Sequence, residues 1–301
     1  MNTVRLICTA AMLAATASAC AQVPEVPVTT TATTTTRQVA GTLFIGGTEY
    51  DVDWGLPAGP AIGLAIVEHG FTRRCRNIAG TLEALTAKGL VTLCVNANLT
   101  GGNPQLADAL AETLVAGINT PDGQPVPERV VVGGHSAGGA FAVRLGYTLA
   151  QLAPQRLAGA VLFDPVAAAG FSDQIRALSG AGQRPVRSIS ALPGSCNAQL
   201  NALPGLRAAL SDAAAAGEEA FVGVQLIDRP THVDAEGSDS DVLAWAACRQ
   251  GAPRPANVRT LRDLAGAWAA DLVRGTRTPA YYPGGAVIED LRARARIALI
   301  E

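Results

Sequence analysis

Lysine is nearly missing from this chain: Lys88 is the only one, and arginine carries the rest of the positive charge. Aromatic residues make up only 4% of the 301 positions, and the formal net charge is −2. A near-neutral chain exerts no long-range pull on a polyanion, so no nucleic-acid partner is expected. A core short of rings must pack from aliphatic side chains, which the 49% hydrophobic content supplies in quantity. Histidine occurs three times, as His69, His135 and His232, too scattered for a metal site. No metal and no cofactor are expected. The N-terminal apolar run at 6–15 is also too short to cross a bilayer, which takes roughly 20 residues.

What that run does resemble is the apolar core of a secretory signal. Arg5 precedes it, and the small residues Ala17-Ser18-Ala19 lead to Cys20. Residues 1–20 are therefore read as a signal peptide and the protein as exported, to the periplasm and cell envelope or beyond. Cys20 stands where a bacterial lipoprotein carries its lipid, although Ala17 occupies a position where leucine is usual; plain cleavage after Ala19 or Ala21 is the alternative. A lipidated Cys20 would tether the chain to a membrane. Residues 21–36, proline-containing and then almost pure threonine, have little to bury and read as a disordered linker.

From residue 37 to 301 the pattern is that of one folded domain. Apolar runs at 38–45 and 48–54 flank Gly46-Gly47 and predict a β-hairpin. Continuous apolar runs at 62–68, 90–95, 130–135, 157–163, 186–191 and 220–227, the last strand in this reading, alternate with helix-compatible stretches. Asn103-Pro104 offers an N-cap followed by proline at the first helical position. Late helices are expected at 242–248 and 258–273, followed by an arginine-laced, helix-like tail. Strands apolar on both faces and alternating with helices predict an α/β fold with a mainly parallel sheet covered on both sides. No insertion is long enough for a large cap domain. A shallow, accessible site is expected at the carboxyl ends of the strands.

The chemistry concentrates at one stretch. Three valines run into Gly133-Gly134-His135-Ser136-Ala137-Gly138-Gly139, and the middle five fit G-x-S-x-G. In such an elbow a strand turns sharply into a helix and lifts the serine hydroxyl out of the sheet. Glycine two positions to either side lets strand and helix pass without collision. The amide of Ala137, at the start of the helix, points where an oxyanion would form. When later residues complete such a serine, the acid precedes the histidine. His232, in the loop after the run at 220–227, is therefore the candidate base. Asp164, ending the strand next after the elbow, is the candidate acid. The common alternative position, after the strand at 186–191, is empty, because no Asp or Glu occurs between Arg187 and Ser211. Asp228 and Asp234 lie close to His232 in sequence and fit a supporting role. Phe71, in His69-Gly70-Phe71, is the candidate second oxyanion amide, with Thr72 next; Arg73, Arg74 and Arg76 read as a solvated loop face.

Gly-His-Ser-Ala-Gly-Gly, a strand ending Phe-Asp-Pro-Val and a late histidine loop together resemble the chlorophyllase-type, lipase-like branch of the α/β-hydrolase superfamily. There, too, the acid directly follows the strand after the elbow. Ala137 stands where plant chlorophyllases usually carry arginine. The resemblance implies the α/β-hydrolase fold and hydrolysis of a small-molecule or lipid-like ester, with the particular ester left open. Acyl transfer by the same three residues and a non-catalytic, surface-tethered binding protein are the alternatives. Four cysteines remain beyond the signal, and in an exported chain they can oxidise. Cys75–Cys94 and Cys196–Cys248 are the favoured pairs, with Cys94 also compatible with a buried strand thiol. Neither oligomeric state nor acyl length is legible.

Overall fold

The computed structural model describes residues 36–301. The expected signal peptide, Cys20 and all but the last residue of the expected linker lie outside the described residues. Strands β1 (Arg37–Ile45) and β2 (Thr48–Leu56) form the hairpin, turning at Gly46-Gly47. They lead into β3 (Gly63–Glu68), β4 (Leu90–Val95), β5 (Val130–His135), β6 (Leu157–Phe163), β7 (Val186–Ser190), β8 (Gly223–Leu226) and β9 (Ile297–Leu299). The nine strands form one sheet in the order β1-β2-β4-β3-β5-β6-β7-β8-β9. Pairing is parallel from β4 through β8 and antiparallel at β1–β2, β2–β4 and β8–β9.

Each central strand feeds two cores, as runs without polar alternation require. Leu64 and Ile66 of β3, with Val130 and Val132 of β5, face one core, while Ala65, Val67 and Val131 face the other. The first core is closed by α2 (Pro104–Ala116), α3 (Ala137–Leu152), α4 (Phe171–Ser179) and α5 (Leu203–Ala215). The second is closed by α1 (Ala79–Thr86), α7 (Pro255–Arg274) and α8 (Ala286–Ala293). Full burial of one Leu or Ile is worth about 1.5–3 kcal/mol, so two aliphatic cores suffice without many rings. In the second core Trp268 is fully buried and donates Nε1–H to the Tyr281 carbonyl at 2.8 Å. Asn103 caps α2 as expected, its Oδ1 accepting from Leu106 N at 3.3 Å.

Three expectations change. The run around 220–227 is not the last strand, because Ile297–Leu299 adds β9 to the edge. A three-residue strand is too short to show periodicity, and only the open edge of β8 defines it. The tail is helical only at α8. The third change concerns the site, which is not shallow. The short helix α6 (Val242–Cys248) follows His232 and walls a cavity of about 820 Å³ at the carboxyl ends of the strands.

Candidate active site

The elbow forms because β5 runs straight into α3, with Ser136 as the hinge between them. Ser136 takes φ 57° and ψ −121°, a left-handed backbone that costs on the order of 1–3 kcal/mol for a non-glycine residue. The turn is held by Ser136 N donating to the Phe163 carbonyl at 3.2 Å and by Ser136 O accepting from Gly139 N at 2.9 Å and Val166 N at 3.0 Å. Close approach explains the glycines: a Cβ on Gly134 would overlap the Gly138 carbonyl, and one on Gly138 would overlap the carbonyls of Glu68 and His69.

Asp164 leaves β6 in a left-handed conformation of its own (φ 42°) and is buried. Its Oδ2 accepts from His232 Nδ1–H at 2.6 Å, which fixes the imidazole tautomer with Nε2 as the free acceptor. Asp164 Oδ1 accepts from Ala191 N at 3.0 Å. His232 is anchored on both sides of its backbone: its N–H donates to Gln250 Oε1 at 2.6 Å, and its carbonyl accepts from His135 Nε2–H at 2.8 Å. The two imidazole rings lie 4.7 Å apart. Burial, and then the neighbouring His232, hold the His135 pKa well below the usual histidine range, so it is a neutral donor.

Ser136 and His232 line the same cavity, together with Phe71 and Ala137. The fold thus brings together all five residues singled out in the sequence. Among the described residues Ser136 Oγ has no hydrogen-bond partner; in sites without a ligand such hydrogen bonds are often long and tighten only when a substrate binds. The amides of Phe71 and Ala137 likewise donate to no described group. Gly70 lets this loop approach Ser136, since a Cβ there would already touch His135 Nδ1 and Ser136 Cβ at 3.3 Å. Thr72 takes the strained conformation (φ 58°) that turns the loop.

Asp228 and Asp234 do not reach the imidazole. Asp234 braces its loop instead, accepting from Thr231 N and Oγ1 at 2.9 Å each and from Arg254 N at 3.1 Å. Asp228 pairs with Arg254 at 2.5 Å, which holds its carboxyl below the usual range. Arg73 departs from expectation. Rather than facing solvent with Arg74 and Arg76, it clasps the buried Glu236 through Nε at 2.9 Å and Nη2 at 2.6 Å, and Asp241 through Nη1 at 2.9 Å. That contact ties the Phe71 loop to the segment between His232 and α6.

Sequence reasoning missed Asn197. This buried residue points Nδ2 at both Asp164 oxygens (3.2 and 3.1 Å) and at the Leu192 carbonyl (2.8 Å), while its Oδ1 accepts from Gly194 N and Leu200 N. Its only signal in the sequence is its place beside Cys196. Both expected disulfides are present, Cys75–Cys94 and Cys196–Cys248, and the second lies in the cavity wall between Asn197 and Gln250. Among the described residues no cluster of His, Cys, Asp and Glu could hold a metal ion, and no helix is long and apolar enough to cross a membrane.

Among solved structures, a fungal esterase of Rhizomucor miehei is 13% identical with a TM-score of 0.52, over 80% of this chain and 85% of its own. A thermostable esterase from Pseudomonas putida is 15% identical with a TM-score of 0.50, over 81% of this chain and 84% of its own. A dienelactone hydrolase of Anabaena variabilis is 16% identical with a TM-score of 0.50, over 77% and 96%. Identity this low speaks for a shared fold alone. A search of curated proteins found no match. The model of the alpha/beta hydrolase family matches residues 65–297, which run from β3 into β9 and include the elbow, Asp164 and His232. This chain belongs to the alpha/beta hydrolase family.

Proposed function

We propose that the protein is an exported serine hydrolase that cleaves carboxylic esters through an acyl-enzyme, with Ser136 as nucleophile, His232 as general base and acid, and Asp164 as its orienting carboxylate. The observation that carries this reading is the buried 2.6 Å bond from His232 Nδ1 to Asp164, made beside a serine held on a strained elbow in the same cavity. His232 Nε2 takes the Ser136 proton as Oγ attacks the ester carbonyl carbon. The carbonyl electrons move to oxygen, where the amides of Ala137 and Phe71 stabilise the charge; one such donor is worth about 3 kcal/mol in the transition state. Collapse breaks the C–O bond, and the imidazolium passes its proton to the departing alcohol. Water, activated by the same imidazole, then attacks the acyl-enzyme and releases the acid. The esterases and the dienelactone hydrolase among the structural neighbours are in keeping with this chemistry. So is the acid on the strand next after the elbow.

Export is supported by two disulfides in a single domain, which suit an oxidising compartment. A lipid on Cys20 would hold the domain at a membrane; metabolic labelling with a fatty acid, lost in Cys20→Ala, tests that attachment. Catalysis is tested with a fluorophosphonate probe. Wild type should be labelled and Ser136→Ala should not, with ester turnover falling by several orders of magnitude in the variant. Folded protein that neither labels nor turns over any ester would instead favour a binding role.

A further inference from the structure

The cavity is walled mainly by small and apolar side chains. Ala140 and Ala167 contribute from the body of the fold, Ala244 and Ala247 from α6, and Phe71 and Leu243 stand at its edge. At about 820 Å³ it lies in the upper part of the range of ~300–1,000 Å³ typical of sites that enclose a drug-sized ligand. Two charged side chains line it besides the histidines, Arg73 and Glu236, and each already neutralises the other in a two-pronged pair. The remaining guanidinium nitrogen, Nη1, is taken by Asp241. No cation is left to receive a substrate anion, and no carboxylate to receive a substrate cation.

The rim continues the same chemistry. Of the seven large apolar side chains exposed among the described residues, Phe44, Val115 and Leu152 lie elsewhere, and the other four lie at the cavity or on segments that border it. Phe71 (54% exposed) and Leu243 (79%) line the cavity. Val242 (66%) adjoins Leu243 on α6, and Leu192 (40%) lies on the loop that carries Cys196. Apolar side chains left in water at the mouth of an apolar cavity lower their free energy when an apolar ligand covers them.

We propose that the substrate is an uncharged ester whose non-reacting part is large and apolar, filling the alanine-lined cavity and extending over the Phe71–Leu243 rim. This rests on the reading of Ser136 as nucleophile, which supplies the reacting end. Each methylene moved from water into such a site is worth about fourfold in binding. Such an ester could arrive as a free molecule or at the surface of an aggregate, and the two sources are separable by experiment.

The test uses the full chain and two soluble series, p-nitrophenyl esters from acetate to octanoate and acetates of methanol to octanol. The expected result is a rise in kcat/KM of about tenfold or more along at least one series. A p-nitrophenyl succinate half-ester should run about tenfold or more below the butyrate, for want of a free cation. Ala244→Trp and Ala247→Leu, which narrow the cavity by different amounts, should lower the octanoate-to-acetate ratio. An emulsified triglyceride distinguishes the sources. A jump in rate at the solubility limit, abolished by Leu192→Ser with Val242→Ser, assigns delivery from an aggregate; smooth saturation assigns a free molecule, and either is consistent with the proposal. A flat or falling trend in both series, or preference for the succinate, overturns it even if Ser136 still takes the fluorophosphonate. Loss of that labelling would instead remove the catalytic reading itself.

Discussion

Asn197 shows how one buried side chain can hold another, here the Asp164 carboxylate that pairs with His232. Its amide spends its donors on the Asp164 carboxylate and on the Leu192 carbonyl, drawing charge density away from the oxygen that faces His232. In Asn197→Ala, Asp164 keeps the Ala191 amide but loses this donor and with it part of its fixed orientation. Ester turnover should therefore fall about tenfold in kcat with KM little changed. Steady-state kinetics read the split; unchanged kcat would make Asn197 merely structural. At Arg73 the cost is electrostatic. Its removal leaves Glu236, whose side chain is 1% exposed, without its ion-pair partner. Breaking a buried pair from one side costs about 3–5 kcal/mol, so Arg73→Ala should lower the denaturation midpoint clearly in a urea titration.

Elements position the site in two ways. β5, β6 and the loop after β8 deliver Ser136, Asp164 and His232 from the carboxyl ends of a parallel sheet, where open α/β sheets place their ligands. The wall of the cavity is assembled differently. α6 is too short to be stable by its own hydrogen bonds, and it is held by Cys248 to Cys196 and through Asp241 to Arg73. The Cys196–Cys248 bridge closes a loop of 52 residues by sequence separation, for which chain entropy gives about 4 kcal/mol. It also joins the loop that holds Asn197 to the segment that holds Gln250. Replacing both cysteines with serine should therefore lower kcat as well as Tm. The matching change at Cys75 and Cys94, which tie the chain after the Phe71 loop to β4, should act chiefly on Tm. Activity and melting measured on the two double variants compare them directly.

For the whole molecule, the pH dependence of stability follows from what the fold buries. Glu68 is fully buried at the end of β3, accepting from Val95 N at 3.0 Å, and burial raises its pKa from 4.5 to about 8. The folded protein therefore binds a proton that the unfolded chain releases, and stability from this group is lost as pH rises from about 4.5 to about 8. Buried His69 and His135 act in the opposite sense: their pKa values are lowered from 6.5 by burial, so they destabilise only below that pH. The two effects offset each other in mild acid, and between pH 6.5 and 8 Glu68 acts without these histidines opposing it. A fall of about 2 kcal/mol is expected there. Glu68→Gln keeps the shape and the acceptor for Val95 but cannot ionise, so its melting temperature should stay level over that interval while that of wild type declines. Thermal melts at several pH values compare the two.

Much of this architecture was legible in the residues themselves, because local physics writes it there. Short uninterrupted runs of β-branched residues ending at glycine, such as Val130-Val131-Val132, favour strands covered on both faces. Gly134 and Gly138 around Ser136 mark a backbone crossing that no side chain would fit. Asp164 could be singled out because it directly follows a strand, and His232 because it is the only histidine in the loop after the run at 220–227. The three-residue β9, the Arg73–Glu236 clasp, the Asn197 support and the walls of the cavity left no such trace. Each joins positions far apart along the chain, 163 residues in the case of Arg73 and Glu236, and each depends on which surfaces remain unpaired once the sheet is packed. The sequence alone determined the first eight strands, the turn and the chain order of Ser136, Asp164 and His232. The tertiary structure decided what surrounds them, because burial and pairing belong to the packed whole and to no segment of it.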